Sequence, residues 1–306
     1  MRKIAVIGLG HVGATVAYTL VTKGIADELV LIDTNSDKVV AEQYDLMDAI
    51  ARLDTSTKIV VQDYAALKDT DVIISAVGNI NVIQQDGDRF GELKFNEAAV
   101  QEIAPKIKAS GFNGVLINIG NPCDVVTAYY QELTGLPRNQ VFGTGTFLDT
   151  ARIQRALGNK LGVDPKNIGG YVYGEHGESQ FVAWSTVTVN GRPVGEIEAD
   201  YRINYEELET DSRRGGWYIF NGKGYTCYAI ATCAVKLARA VLADAHLAAP
   251  VSTYHPGLGT YVGQPAIVGK NGIESLVFLK LSELEDGQLK SSAEFIKQKF
   301  DGLNRP

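Results

Sequence analysis

Cysteine is scarce in this chain. Cys123, Cys227 and Cys233 are the three among 306 residues, an odd number without CxxC spacing, so neither a disulfide framework nor a cysteine zinc site organises the fold. Basic charge is also short: 29 Lys and Arg stand against 36 Asp and Glu, a formal net charge of −7, and the pI is near 5.2. A nucleic-acid surface would need clustered Lys and Arg, so such a partner is not expected. No run approaches the roughly 18 apolar residues of a membrane span. The opening MRKIAVIGLG has only a short apolar run and no small-residue cleavage site of the signal-peptide kind. These absences leave small-molecule chemistry in a reducing, cytoplasmic setting, with no membrane partner.

What is present begins with length, since 306 residues exceed the roughly 100 to 200 of a usual single domain. The first half alternates short β-branched runs with helical patterns. KIAVIG precedes a helix over Val12 to Lys23, and ELVLID precedes one over Asp37 to Ala51; KIVVQ and DVIISAV lead to a helix from about Arg89 to Ser110, then GVLINIG. Strands that are apolar throughout and separated by helices read as a parallel sheet covered on both faces, a doubly wound α/β domain over residues 1–145. The second half, 146–306, changes character. FVAWSTVTVNGRPV and PAIVGKNGIESLVF read as antiparallel hairpins with turns at Asn190-Gly191 and Asn271-Gly272. Helical patterns flank them over about 146–161, 204–217, 226–243 and 283–301, which gives an α+β second domain and places sites between the two. The 226–243 pattern is apolar around most of its circumference, so it is buried either in the core or between subunits.

Gly8, Gly10 and Gly13 form GLGHVG between strand IAVI and the first helix, and Asp33 ends the next strand 20 residues after the last glycine. Turn glycines alone would be a weak signal. At a strand-to-helix junction followed by that carboxylate they form a dinucleotide-binding fingerprint. Backbone amides and the helix N-terminus would receive a pyrophosphate, and Asp33 would accept hydrogen bonds from ribose hydroxyls while repelling a 2′-phosphate. No basic residue follows before Lys38, so NAD is favoured over NADP.

Further features need a common explanation: Arg89 in the loop GNINVIQQDGDRF, Asn121 in NIGNPCD, Asp149 with Arg152 in GTGTFLDTARIQRALG, and His176 in YGEHGESQ. Asp149 and Arg152 are three apart on a predicted helix and share a side of it. Singly, each has a plain alternative: an i,i+3 surface ion pair, an Asn-Pro turn, a histidine in a polar loop.

Together these residues are similar, in content, order and spacing, to the L-lactate and malate dehydrogenase family over nearly the whole chain. Gly8, Gly10, Gly13 and Asp33 match its NAD fingerprint and GDRF its mobile-loop arginine at Arg89. GNP matches its asparagine at Asn121, LDTAR its aspartate and substrate arginine at Asp149 and Arg152, GEHG its catalytic histidine at His176, and GKGYT its pocket threonine at Thr226. The resemblance implies an NAD-dependent oxidoreductase of 2-hydroxy acids with the L stereochemistry, assembled as a homo-oligomer, a tetramer in many relatives. In that scheme Arg152 holds the substrate carboxylate through two parallel hydrogen bonds, and His176, positioned by Asp149, exchanges the proton. Arg89 brings positive charge to the carbonyl as its loop closes, and Asn121 bonds near the carbonyl oxygen and the cofactor. An NAD-bound sensor would have no use for Arg89, Asp149, Arg152 and His176 together, and a glycosidase of related fold would need a metal site that no Cys and His cluster supplies.

The substrate is less sharply marked. The family position six before the loop arginine, arginine in malate dehydrogenases and glutamine in typical lactate dehydrogenases, is Ile83 here, with Gln84 the neighbouring candidate if the register slips. Without a second loop arginine, a dicarboxylate would bury an unpaired charge at a cost of several kcal/mol or more. Val82 and Ile83 point to a branched aliphatic tail, a pattern that resembles the L-2-hydroxyisocaproate dehydrogenases. The alternative is an L-lactate dehydrogenase without fructose 1,6-bisphosphate activation, because the arginine and histidine that mark that activation in bacterial relatives are replaced by Gln154 and Gly169. Gly120 stands where relatives often have serine, and the chain starts directly at its first strand, without the N-terminal arm of vertebrate lactate dehydrogenases, so a tetramer is expected to form through other faces.

Overall fold

The structure, a computed structural model, describes residues 1–79 and 89–305, with the side chains of residues 89–91 outside the described set. Six strands run parallel: β1 (Lys3–Ile7), β2 (Glu28–Ile32), β3 (Lys58–Val61), β4 (Val72–Ser75), β5 (Val115–Asn118) and β6 (Val141–Gly143). Their spatial order is β3-β2-β1-β4-β5-β6, a doubly wound Rossmann sheet. Every residue of β1, β2, β4 and β5 is buried, which is why these strands read as unbroken apolar runs rather than alternating ones. The helices between them are α1 (His11–Thr22), α2 (Ser36–Ile50), α3 (Arg89–Ala109) and α4 (Cys123–Thr134). Because β1 pairs with both β2 and β4, the winding reverses beside it, and the crevice at the carboxyl ends of these strands is where such sheets take ligands.

The second half begins with α5 (Phe147–Leu161). It continues through the short strands β7 (Ile168–Gly169), β8 (Val172–Tyr173), β9 (Phe181–Val182), β10 (Thr188–Val189) and β11 (Arg192–Pro193), then α6 (Glu198–Tyr201), α7 (Tyr205–Lys223) and α8 (Tyr228–Leu242). The chain closes with β12 (Leu247–His255), β13 (Thr260–Gly269), β14 (Gly272–Leu276) and α9 (Glu283–Asp301). The antiparallel β12–β13–β14 meander joins β6 through the single pair Ser252–Gly143, so the main sheet has nine strands. Apolar clusters cover both of its faces. α8 supplies Ala231, Ala234, Val235, Leu237 and Ala238 to the cluster that also holds Val16 and Leu20 of α1, which is the core alternative for the 226–243 pattern.

The expected helices appear within a residue or two, except that α7 runs past 217 to Lys223. Gly215 and Gly216 lie inside it despite their poor helix propensity, and a Cβ at Gly216 would sit 3.2 Å from Arg152 Nη2. The helix stops only at Gly224, whose φ of +78 suits a left-handed C-cap. The Asn190-Gly191 turn is as expected, both residues having positive φ. The second turn sits one residue earlier than expected, since Gly269 pairs with Gly272 and leaves Lys270 and Asn271 at the tip. α4 and β12 were not anticipated. Eight of the first eight residues of α4 are buried, which removes the amphipathic period that marks a helix. β12 contains Pro250, a residue that argues against a central strand; it is accommodated because β12 meets β6 only at Ser252.

Candidate active site

The glycine turn is shaped by close backbone approaches. Gly8 has φ +90, and a Cβ there would lie 2.8 Å from the Ala76 carbonyl. A Cβ at Gly13 would lie 1.8 Å from Gly8 O, whereas one at Gly10 would meet nothing within 4 Å. Two glycines thus let β1, β4 and α1 touch, and the third leaves open space before the N-terminus of α1, where a phosphate would approach. Asp33 at the end of β2 accepts from Leu9 N at 2.6 Å and from Asn35 N at 2.9 Å. It therefore pins the glycine turn, and it stays partly exposed, with oxygen lone pairs left for ribose hydroxyls. Gln62 clasps the Asp33 backbone, its Nε2 donating to Asp33 O at 2.7 Å and its Oε1 accepting from Asp33 N at 3.2 Å. This cradle fits NAD, which supplies or accepts a hydride when bound.

Asp149, Arg152 and His176 come together in one cluster. Asp149, 4% exposed, lies in the first turn of α5, and its two oxygens are divided: Oδ2 is 2.5 Å from His176 Nδ1 and Oδ1 accepts from Arg152 Nη1 at 3.0 Å. With Nδ1 engaged, Nε2 is the histidine atom left to face a substrate. Burial pulls the His176 pKa down, but the charge and hydrogen bond of Asp149 outweigh it and leave the pKa raised above its ordinary value; Arg152 opposes this and Asp124 adds to it. The loop that carries His176, between β8 and β9, is tied down at both sides. Glu175 N donates to Ser292 Oγ of α9 at 2.7 Å, and Ser179 donates to Glu175 Oε2 from N at 3.1 Å and from Oγ at 2.7 Å. The His176 main-chain N–H donates to Asp124 Oδ2 of α4 at 2.9 Å.

Asn121 precedes α4 and its carbonyl accepts from Asn96 Nδ2 of α3 at 2.5 Å. A Cβ at Gly120 would come within 2.4 Å of Val77 O, so a serine could not enter this turn without moving it. Thr226 lies in the link between α7 and α8, beside Tyr225, whose ring stacks on His11 of the glycine fingerprint with centroids 3.6 Å apart. That stack brings the cofactor turn and the GKGYT segment together. Gln154 Nε2 donates to Ile168 O at 2.8 Å, and a Cβ at Gly169 would lie 2.5 Å from Thr188 Oγ1. Arg89 is the first residue of α3; its side chain, and Val82, Ile83 and Gln84, lie outside the described residues. A small cleft opens beside Asp149 and Arg152 toward Glu209 and Arg213. All three cysteines are free and buried, and burial pushes the Cys123 thiol up to about 12, far from a reactive thiolate.

Sequence reasoning missed Gln62, Asn96, Asp124 and the His11–Tyr225 stack. Each acts through one tertiary contact with a residue far along the chain, and none belongs to a periodic pattern. Only Asp124, next to the Asn-Pro turn, had a local signal.

Comparison with known proteins covers the whole chain. The family profile "lactate/malate dehydrogenase, NAD binding domain" matches residues 2–143, and "lactate/malate dehydrogenase, alpha/beta C-terminal domain" matches residues 146–304. L-lactate dehydrogenase 1 of Bifidobacterium longum subsp. longum is 39% identical, over 99% of this chain and 98% of that protein. Among solved structures, the lactate dehydrogenase of Cryptosporidium parvum, complexed with lactic acid and nicotinamide adenine dinucleotide, superposes with a TM-score of 0.93 at 29% identity, covering 100% of this chain and 99% of that one. The malate dehydrogenase of the same organism gives 0.91 at 30% identity, covering 99% of each. The backbone alone therefore does not choose between the two acids.

Proposed function

The chain belongs to the lactate/malate dehydrogenase family, and from that premise we propose that it reduces pyruvate to L-lactate with NADH, and the reverse, without fructose 1,6-bisphosphate activation. It is an NAD-dependent 2-hydroxy acid oxidoreductase. The single observation that carries the catalytic reading is Asp149 shared between His176 and Arg152, at 2.5 and 3.0 Å. In the reduction His176, as imidazolium, gives its Nε2 proton to the carbonyl oxygen while Asp149 steadies the charged ring through Nδ1. Arg152 takes the substrate carboxylate through paired N–H donors, with Asp149 fixing the guanidinium. Asn121 bonds near the carbonyl oxygen and Thr226 lines the pocket. Arg89 places positive charge beside the carbonyl. In this scheme residues 1–145 bind NAD and 146–306 supply His176, Asp149 and Arg152. Cytoplasmic residence and a homotetramer complete the reading; among the described residues no single helix is long and apolar enough to cross a membrane.

Pyruvate is favoured because the curated relatives are named L-lactate dehydrogenases. A second reading, broad activity on 2-oxoisocaproate-like branched acids, rests on Val82 and Ile83, with Gln84, where a malate enzyme has arginine. One NADH absorbance assay separates them. We expect kcat/KM for pyruvate to exceed that for oxaloacetate by about a hundredfold or more, because the dicarboxylate finds no second arginine, and fructose 1,6-bisphosphate to leave the rate unchanged. Since each methylene in an apolar pocket is worth about 1–3 kcal/mol, 2-oxoisocaproate outrunning pyruvate by more than about tenfold overturns the pyruvate assignment in favour of the branched one. Oxaloacetate as best substrate overturns both.

A further inference from the structure

His176 is fastened from both halves of the molecule. Its ring is held by Asp149 of α5, and its main-chain N–H by Asp124, the second residue of α4. A carboxylate in the first turn of a helix ordinarily serves the exposed amides of its own helix. Asp124 instead commits Oδ2 to His176 at 2.9 Å. Its Oδ1 and the Ser252 hydroxyl are both buried, and the hydroxyl lies close enough to the carboxyl to favour its charged form. The side chain is 1% exposed. Burial has driven its pKa up to about 6, the nearby Glu175 adding to the rise while Ser252 and His176 oppose it. Burying a carboxyl is unfavourable, and the bond from the His176 N–H offsets part of that cost. Asp124 also follows Asn121 by three residues, so one short segment carries both the asparagine turn and the carboxylate that holds the histidine loop.

We propose that Asp124 is a positioning residue for the hydroxy-acid reaction: by accepting the main-chain N–H of His176 across the boundary between the halves, it fixes where the imidazole stands relative to substrate and the Asn121 turn. The proposal rests on the reading of His176 as proton donor. It predicts that what matters at position 124 is an acceptor oxygen at the right place. Asp124→Asn keeps that oxygen and turns Nδ2 toward the Ser252 hydroxyl, which can accept. Asp124→Ala removes it.

The test compares both variants with the wild type in full kinetics with pyruvate and NADH, alongside NADH binding by fluorescence and thermal unfolding. Misplacement of an acid by about 1 Å costs on the order of a hundredfold, so kcat of Asp124→Ala should fall by about 10- to 100-fold while the NADH dissociation constant stays within about twofold. Asp124→Asn should restore kcat to within about threefold of wild type. If Asp124→Ala does not fold, Asp124→Ser, too short to reach the His176 N–H, is judged by the same criterion. Alanine or serine at 124 with normal kcat overturns the proposal, and so does Asp124→Asn as slow as Asp124→Ala, which would make charge rather than placement decisive. The underlying reading has its own control: turnover surviving His176→Ala removes the proton-donor role, whereas an inactive His176→Ala beside a fully active Asp124→Ala removes only the positioning role.

Discussion

Gly10 and Gly13 lie three residues apart in one turn, yet a methyl group at each should damage different properties. At Gly13 an added Cβ would lie 1.8 Å from Gly8 O, 2.9 Å from Gly8 C and 3.3 Å from Ala76 Cβ. Backbone cannot rotate aside as a side chain can, so α1 would have to lift from β1 by roughly 1 Å, and overpacking of that kind costs about 1–3 kcal/mol or more. At about 2–4 °C of Tm per kcal/mol for a large domain, Gly13→Ala should melt about 2–12 °C below wild type. At Gly10 the same Cβ meets nothing within 4 Å, and φ of −62 is open to any residue. Gly10→Ala should therefore keep its Tm within about 2 °C. Its methyl occupies the space through which a pyrophosphate reaches the α1 amides, so the NADH dissociation constant should rise about tenfold or more, equivalent to about 1.4 kcal/mol. Thermal unfolding and NADH fluorescence titration on both variants decide the matter. Gly10→Ala with wild-type NADH affinity, or Gly13→Ala with unchanged Tm, would refute the geometry.

Asp149→Asn removes the charge that outweighs desolvation at His176. The raised pKa means that the protonated, reducing form persists above the ordinary histidine range, and reductive kcat/KM falls as pH rises through it; in Asp149→Asn that fall should move to lower pH, as a pH–rate profile will show. The stability that His176 contributes has the same sign: it is fully present below the unfolded-state pKa and is lost as pH rises through the higher folded value. Arg152→Lys keeps the charge but not the planar pair of donors, so KM for the 2-oxo acid should rise by at least about tenfold, with NADH affinity unchanged in a fluorescence titration.

The Rossmann half was legible because its strands are buried on both faces and the GLGHVG turn obeys a steric rule that only glycine meets: Gly8 and Gly13 abut backbone. α4 and β12 were not, because helix α4 is buried nearly all round and Pro250 interrupts the strand signal of β12. At the site, Asp149, Arg152 and His176 could be named because LDTAR and GEHG together match the family's motifs, whereas the i,i+3 spacing and the polar GEHGES loop each had a plain alternative. Their mutual geometry could not: one carboxylate divides its oxygens between a helix neighbour and a residue 27 positions away. Asp124, Asn96 and Gln62 bond to partners 52, 25 and 29 positions distant, separations that no periodicity encodes.

The account turns on His176 as the proton donor to a bound 2-oxo acid, and His176→Ala tests it most directly. With NADH and pyruvate the variant should lose about 10²- to 10⁴-fold in kcat, the range of general acid catalysis, while binding NADH with wild-type affinity through the intact glycine turn and Asp33. Turnover within about tenfold of wild type, with NADH bound normally, would contradict it.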